Sequence, residues 1–264
     1  MMSHNNKLEG KVALVTGGGS GMGKASAIQL AKEGAKVAVI DIKEEDAQET
    51  KKEIKSIGGE AFIIEADVSK EEEIQQCYKQ LIDHFGRLDI IFANAGINGK
   101  ITPIEDMAVE DWDNTLETNL RSTFLTVKHS IPYMKKEGGS IIITSSVNGN
   151  RVFSNFGFSA YSSSKAGQMA FGKMAALELA RYQIRVNIIC PGAIQTSIDE
   201  NTHPEEGALE KIKIPVEYPE GNQPLQNRPG RPEEVADLIV FLASDSSRHI
   251  TGTELYIDGA GSLL

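Results

Sequence analysis

Cysteine is scarce in this chain: Cys77 and Cys190 are the only two. Two distant cysteines build no disulfide framework, and without a C-x-x-C pair there is no zinc-knuckle spacing. The expected compartment is therefore reducing, and a cytoplasmic protein is expected. Long apolar runs are missing too. The longest strongly apolar stretch, 238–243, has six residues, against the roughly 20 that a bilayer span needs. Residues 1–7 lack the apolar core of a secretory signal and are expected to be flexible. Basic residues are outnumbered, 27 Lys and Arg to 37 Asp and Glu, for a net charge of −10. With no dense basic block, nucleic acid and anionic membranes are not expected partners. The five histidines, His4, His84, His129, His203 and His249, follow no ligand spacing, so no catalytic metal is expected.

What is present is ordinary globular composition, 40% hydrophobic and 24% charged, which excludes collagen, coiled coil and disorder. Short β-branched runs recur at 12–16, 36–41, 61–66, 88–93, 140–144, 184–189 and 254–257. They lack clean alternation, as strands covered on both faces do. Helical patterns lie between them, at 21–33, 44–57, 70–85, about 110–136, 159–182 and 232–243. Gly34 is the expected C-terminal cap of the first. Ser69 is expected to cap the third, with Glu72 completing a capping box. This alternation predicts an α/β fold: one Rossmann-type domain over 8–264, a doubly wound parallel seven-stranded sheet with helices on both faces. Residues 196–230 break the rhythm with five prolines. A long irregular stretch in a compact domain is usually functional, and a substrate lid is expected there.

The turn after the first strand reads Thr16-Gly17-Gly18-Gly19-Ser20-Gly21-Met22-Gly23. Glycines there let backbone approach a pyrophosphate, and the following helix offers free N–H groups at its positive end. Asp41 closes the second strand, where a carboxylate takes the adenosine ribose hydroxyls. With Ile42 next and Ser20 before Gly21, neither adjacent position supplies a cation for a 2′-phosphate; Lys24 and Lys43 are less well placed. NAD is expected over NADP. A like charge at about 4 Å in an effective dielectric near 20 costs about 4 kcal/mol.

Tyr161 and Lys165 stand at i and i+4, on one helix face. Ser146 ends the fifth strand, at the sheet edge where ligands bind in this architecture. A phenol acting as a base near neutral pH must shift by roughly three units, about 4 kcal/mol. A lysine charge about 4 Å away supplies that order of energy, so the ammonium is expected to acidify the phenol.

At these residues the chain resembles the classical short-chain dehydrogenases/reductases. The resemblance runs from about Leu8 to Leu263. It rests on 16–23, Asp67-Val68, Asn94-Ala95-Gly96, Asn119, Ser146, Tyr161-x-x-x-Lys165 and Pro191-Gly192 followed by Thr196. It implies a dinucleotide held by Gly17, Gly19, Ser20, Gly21, Met22, Gly23, Asp41 and Ile42. Asp67 and Val68 would meet the adenine, and Asn94, Ala95 and Gly96 would line the cofactor. Pro191, Gly192, Ile194 and Thr196 would orient the carboxamide. Asn119 would hold a relay water, Ser146 polarise the substrate oxygen and Tyr161 move its proton. Lys165 would bind the nicotinamide ribose. A homotetramer is implied, pairing the helices near 110–136 and 159–182 at one interface and the last strand at another.

Ser146 and Tyr161 stand farther apart than is usual in that family, and the loop between them is expected to line the substrate pocket. Its candidates are Asn148, Arg151, Phe153 and Phe158, with Arg151 either pairing a substrate anion or pointing to solvent. The expected activity is NAD-dependent interconversion of a secondary alcohol, of sugar, polyol or hydroxy-acid type, and its ketone. Two alternatives stand beside it. One is a 3-oxoacyl-carrier-protein reductase, against which Asp41 weighs, as do Ile131 and Tyr182 where docking arginines would sit. The other is a non-catalytic nucleotide sensor on the same fold.

Overall fold

A computed structural model of the chain describes residues 6–196, 198, 201–213 and 223–264. Residues 1–5 of the expected flexible start lie outside them. So do 197, 199–200 and 214–222 of the expected lid.

The apolar runs form the strands β1 (Val12–Thr16), β2 (Lys36–Asp41), β3 (Ala61–Glu65), β4 (Ile90–Ala93), β6 (Gly139–Thr144), β7 (Ile184–Pro191) and β9 (Glu254–Ile257). They make one parallel sheet in the order β3-β2-β1-β4-β6-β7-β9. Chain order reverses between β1 and β4, and the crevice beyond their carboxyl ends is where such sheets bind ligands. Thr16 and Ala93 mark those ends.

Both faces are covered, which is why the strands read as solid apolar runs. On one side lie α1 (Gly21–Lys32), α2 (Glu44–Ser56) and α8 (Pro232–Ala243), burying Leu30, Ile54, Val235 and Ile239 against Ala13, Val15, Val37 and Val39. On the other lie α3 (Glu71–Phe85), α5 (Ser122–Met134) and α6 (Ser159–Leu179), burying Tyr78, Leu81, Leu125 and Leu179 against Val12, Leu14, Ile141 and Ile143. Each such fully buried side chain is worth about 1.5–3 kcal/mol over exposure.

Three local expectations need correction. Ser69 does not cap α3: Lys70 is the N-cap residue and makes no side-chain capping bond. Instead Asp67 Oδ1 accepts the Ser69 N–H at 2.9 Å, and Glu73 reaches back to the Asp67 N–H at 2.7 Å. The turn residue upstream satisfies the entry, so a capping box through Glu72 is not made. The helix expected over about 110–136 is not uniform. It runs as α4 (Val109–Leu116), a π-turn (Glu117–Arg121) and α5. Finally, 196–230 is not wholly irregular. Within it β8 (Thr202–Pro204) pairs in parallel with β5 (Gly99–Ile101), and a short helix α7 (Glu206–Leu209) follows.

That small sheet docks the described part of 196–230 onto the segment after β4. Asn98 donates to Thr202 Oγ1 at 2.8 Å, and Thr102 Oγ1 donates to Glu205 at 2.8 Å. Lys100 pairs with Glu205 at 2.6 Å. Beyond it, Ile194 bridges to Gly230, and Gln223 donates to the Ala193 carbonyl at 2.6 Å. No helix among the described residues is long and apolar enough to cross a membrane.

Candidate active site

The turn from β1 to α1 is built by two glycines. Gly17 sits at φ +61°, in the left-handed region where a side chain is strained. A Cβ on Gly23 would fall on the Gly17 carbonyl oxygen. Helix α1 has no acidic residue in its first turn and no side-chain cap at Ser20. Its positive end is therefore left to an incoming anion.

A cleft of about 450 Å³ opens over this turn. Gly17, Ser20, Gly21 and Met22 line it, with Asp41, Ile42, Asp67, Val68, Asn94, Ala95, Gly96 and Thr196. Gly19 and Gly23 are not on its wall. Gly19 backs Asp41, whose Oδ2 accepts its N–H at 2.8 Å while Oδ1 accepts the Lys43 N–H at 3.0 Å. The carboxylate is thereby fixed at the cleft rim. Lys43 lines the same cleft, whereas Lys24 turns to Glu53 at 2.7 Å. An anion-ready helix end, a glycine cradle without side chains and two carboxylates along the wall fit a dinucleotide. Pyrophosphate would lie on Gly17–Met22 and adenosine toward Asp41 and Asp67.

Asn94 ties the strand ends together. Its Nδ2 donates to the Thr16 and Gly17 carbonyls at 3.2 and 3.3 Å, and its Oδ1 accepts from Thr144 Oγ1 at 3.2 Å. Thr16 Oγ1 accepts the N–H groups of Asn94 and Ala95 at 3.0 and 3.1 Å. Thr16 opens the glycine motif but was given no role of its own from sequence, and Thr144, two residues before Ser146, was not singled out.

The residues expected to handle the proton converge at the neighbouring strand end. Ser146 follows β6 and is buried, its Oγ accepting the Asn148 N–H at 3.2 Å. Ser145 is committed elsewhere, donating to the Lys165 carbonyl at 2.8 Å. Lys165 is buried and donates to the Thr144 carbonyl at 3.0 Å, with its Nζ 5.5 Å from the Tyr161 ring centre. Phe158 stands edge-on to Tyr161 at 5.7 Å. Asn119, fully buried in the π-turn, donates to the Ile97 carbonyl at 2.9 Å and to Ser164 Oγ at 3.0 Å, and accepts the Ile97 N–H at 2.8 Å. Its own carbonyl accepts from Thr123 Oγ1 at 2.8 Å and Gln168 Nε2 at 3.0 Å. Ser164 and Gln168, one helical turn apart on α6, are the partners that sequence spacing did not reveal.

The electrostatic expectation for this pair is corrected. Burial pushes the Tyr161 phenol above its ordinary range, and the Ser146 hydrogen bond offsets this only in part. Burial also pushes the Lys165 ammonium down to about 8. Both groups sit in a low-dielectric pocket, where desolvation outweighs the attraction assumed from spacing.

The remaining predicted residues divide. Pro191 ends β7, and the Gly192 N–H donates to the Ile257 carbonyl at 3.1 Å. Ile194 packs on Gly230. Thr196 touches the position a Gly21 Cβ would take. Asn148 and Phe158 join the Ser146–Tyr161 centre. Arg151 does not: its guanidinium stacks 3.3 Å over the Tyr256 ring and reaches Ser262. Phe153 is exposed. Cys190 is buried with its thiol pushed up to about 12 by desolvation, an inert side chain.

A family model described as Enoyl-(Acyl carrier protein) reductase matches residues 17–261. Among solved structures, a 3-ketoacyl-ACP reductase from Sinorhizobium meliloti is 45% identical with a TM-score of 0.90, over 96% of this chain and 99% of that one. A 7α-hydroxysteroid dehydrogenase complexed with NADH and 7-oxo glycochenodeoxycholic acid is 32% identical with a TM-score of 0.84, over 99% and 98%. The cyclohexanol dehydrogenase of an Acinetobacter species is 36% identical over 97% of this chain and 96% of its own. Together with the fold and the Ser146–Tyr161–Lys165 centre, these matches establish that the chain belongs to the classical short-chain dehydrogenase/reductase family of oxidoreductases.

Proposed function

We propose that the chain is an NAD(H)-dependent oxidoreductase that interconverts a secondary alcohol and its ketone. The observation that carries this reading is the buried meeting of Ser146, Tyr161 and Lys165 beside a cleft whose rim holds Asp41. When bound, a nicotinamide dinucleotide supplies a cationic ring that takes up hydride at C4 and whose charge favours the phenolate. Tyr161 accepts the hydroxyl proton at its phenol oxygen as the carbinol C–H bond gives up its electron pair, leaving the carbonyl. In the reverse direction it returns that proton. Ser146 donates to the substrate oxygen and holds it facing Tyr161. Lys165 places a positive charge behind the phenol and passes a proton toward the Asn119 turn. General acid–base catalysis of this kind is worth about 10²–10⁴ in rate.

Asp41 supports NAD over NADP by like-charge repulsion of a 2′-phosphate. The exposed apolar side chains Phe124 on α5 and Met174 and Leu177 on α6 support the homotetramer, and light scattering of the eluted protein tests it. A cytoplasmic setting is proposed from the two free thiols. The direct test is a panel of alcohols and ketones with NAD or NADH, read at 340 nm, with Tyr161→Phe as control. Turnover lost in the variant supports the reading; turnover retained sinks it.

A second reading, reduction of 3-oxoacyl groups on a carrier protein, is favoured by the 45% identical structure of that name. NADPH preference and saturation by a carrier-bound ketone would decide for it. A nucleotide sensor without chemistry would leave the intact Ser146–Tyr161–Lys165 centre without a use.

A further inference from the structure

Resting on the proposed roles of Tyr161 and Lys165, we propose that Gln168 is a positioning residue for the reaction. Its side-chain amide fixes the π-turn that carries Asn119, so that the Asn119 side-chain oxygen faces the Lys165 ammonium across Gly96.

The placement of Gln168 starts the argument. Tyr161, Ser164, Lys165 and Gln168 stand at i, i+3, i+4 and i+7 of α6, on one buried face. Gln168 extends that face by a turn and is fully buried. Its Nε2 donates to the Asn119 main-chain carbonyl at 3.0 Å and to Thr123 Oγ1 at 2.7 Å. Thr123 Oγ1 donates in turn to the same carbonyl at 2.8 Å, and Ser122 Oγ does so at 3.3 Å. A carbonyl oxygen has two lone pairs. This one is therefore saturated, and a closed ring of bonds ties the π-turn to α6.

The Asn119 side chain is held from the other side. Its Nδ2 goes to the Ile97 carbonyl and Ser164 Oγ, and its Oδ1 takes only the Ile97 N–H, at 2.8 Å. Oδ1 thus keeps acceptor capacity that the carbonyl has lost. A Cβ on Gly96 would come 3.0 Å from Asn119 Oδ1 and 3.5 Å from Lys165 Nζ. Both atoms border the same small space over Gly96, on the wall of the cleft. Of the two Asn119 oxygens, Oδ1 is the one turned to Lys165 with a lone pair to spare.

Packing alone does not call for an amide at this position. Gln168 Oε1 has no hydrogen-bond partner among the described residues, and a buried unpaired oxygen costs stability. Turning the amide over would set Oε1 against the Asn119 carbonyl, acceptor on acceptor. A methionine of similar length would fill the space without that cost. What only the amide supplies is an N–H for Asn119.

The test compares the full chain with Gln168→Met and Gln168→Glu. The probe is cyclohexanol with NAD, read at 340 nm, and exchange of the Ile97 amide is followed by deuterium labelling. Gln168→Met should melt cooperatively and bind NADH as the wild type does. It should lose about tenfold in kcat with both KM values within about twofold. Its Ile97 amide should exchange at least about tenfold faster. Gln168→Glu is the conservative variant: a neutral carboxyl keeps a donor for Asn119, and an ionised one does not. Neither partner of Gln168 titrates, and dividing by the wild-type kcat removes the titrations of Tyr161 and Lys165. That ratio should fall about tenfold between roughly pH 6 and pH 9 as the buried carboxyl ionises.

Gln168→Met with wild-type kcat and wild-type Ile97 exchange overturns the proposal. So does a Gln168→Glu loss that is the same at every pH, or a kcat loss that only tracks weaker NADH binding. If Gln168→Met does not melt cooperatively, the pH course of Gln168→Glu decides alone. Turnover that survives Tyr161→Phe overturns the reading of Tyr161. In that case, or if the wild type leaves cyclohexanol untouched, Ile97 exchange decides whether Gln168 places Asn119.

Discussion

The Asp41 carboxylate accepts the backbone N–H of Gly19 at 2.8 Å. One side chain thus holds the glycine turn in shape and presents its charge at the cleft rim. These two duties can be separated. Asp41→Asn keeps an oxygen for Gly19 and removes the charge. The preference for NAD over NADP, measured as the ratio of kcat/KM values, should fall by about 100-fold. Lys43 on the same wall favours the phosphate once the carboxylate is gone. An unchanged ratio would show that the carboxylate does not read the ribose.

Ser145 and Ser146 are adjacent and should answer differently. Ser146→Ala removes the hydroxyl that bonds Tyr161, and kcat should drop about 10²-fold or more with NAD affinity intact. Ser145→Ala removes a bond to the Lys165 carbonyl. It should lower stability by about 1 kcal/mol in urea melts and leave kcat within a few-fold.

Lys165 makes stability depend on pH. Its folded pKa is about 8 against an ordinary 10.5. Between those values the unfolded chain binds more protons, so stability should rise with pH through that window. Below pH 8 the cost of the buried charge is fully present. Lys165→Met should therefore be the more stable protein at pH 7 by about 1–3 kcal/mol, and this margin should close toward pH 10.5. Parallel denaturant titrations at pH 7, 9 and 10.5 check this. A constant margin would mean that the ammonium is not held at low dielectric.

Gly23→Ala should fold but lose NAD. The added Cβ lands on the Gly17 carbonyl, forcing apart the turn proposed to receive the pyrophosphate. Calorimetry should show affinity lower by about 100-fold or more, from a loss of roughly 3 kcal/mol.

The strands were legible because both sheet faces are covered and their residues are apolar throughout. The glycine turn and Tyr161-x-x-x-Lys165 were legible because each is a local spacing tied to one element boundary. What escaped depends on the assembled molecule. Arg151 goes to Tyr256, a residue of the last strand that nothing in the 147–160 loop announces. The pairing of β5 with β8 joins residues about a hundred positions apart. The raised Tyr161 pKa follows from the dielectric of the finished pocket, which spacing does not contain. The entry of α3 was misread because Asp67 and Glu73 satisfy it ahead of Ser69.

The π-turn at Glu117–Arg121 has a consequence for insertions and deletions. It closes with the Ser122 N–H on the Glu117 carbonyl, one residue more than an α-turn takes. Deleting a single residue there would convert it to plain α-helix and leave the faces of α4 and α5 nearly as they are, since the wider turn already absorbs the extra residue. What would be lost is local: Asn119 lies inside that turn, and its bridge to Ile97 and Ser164 would go.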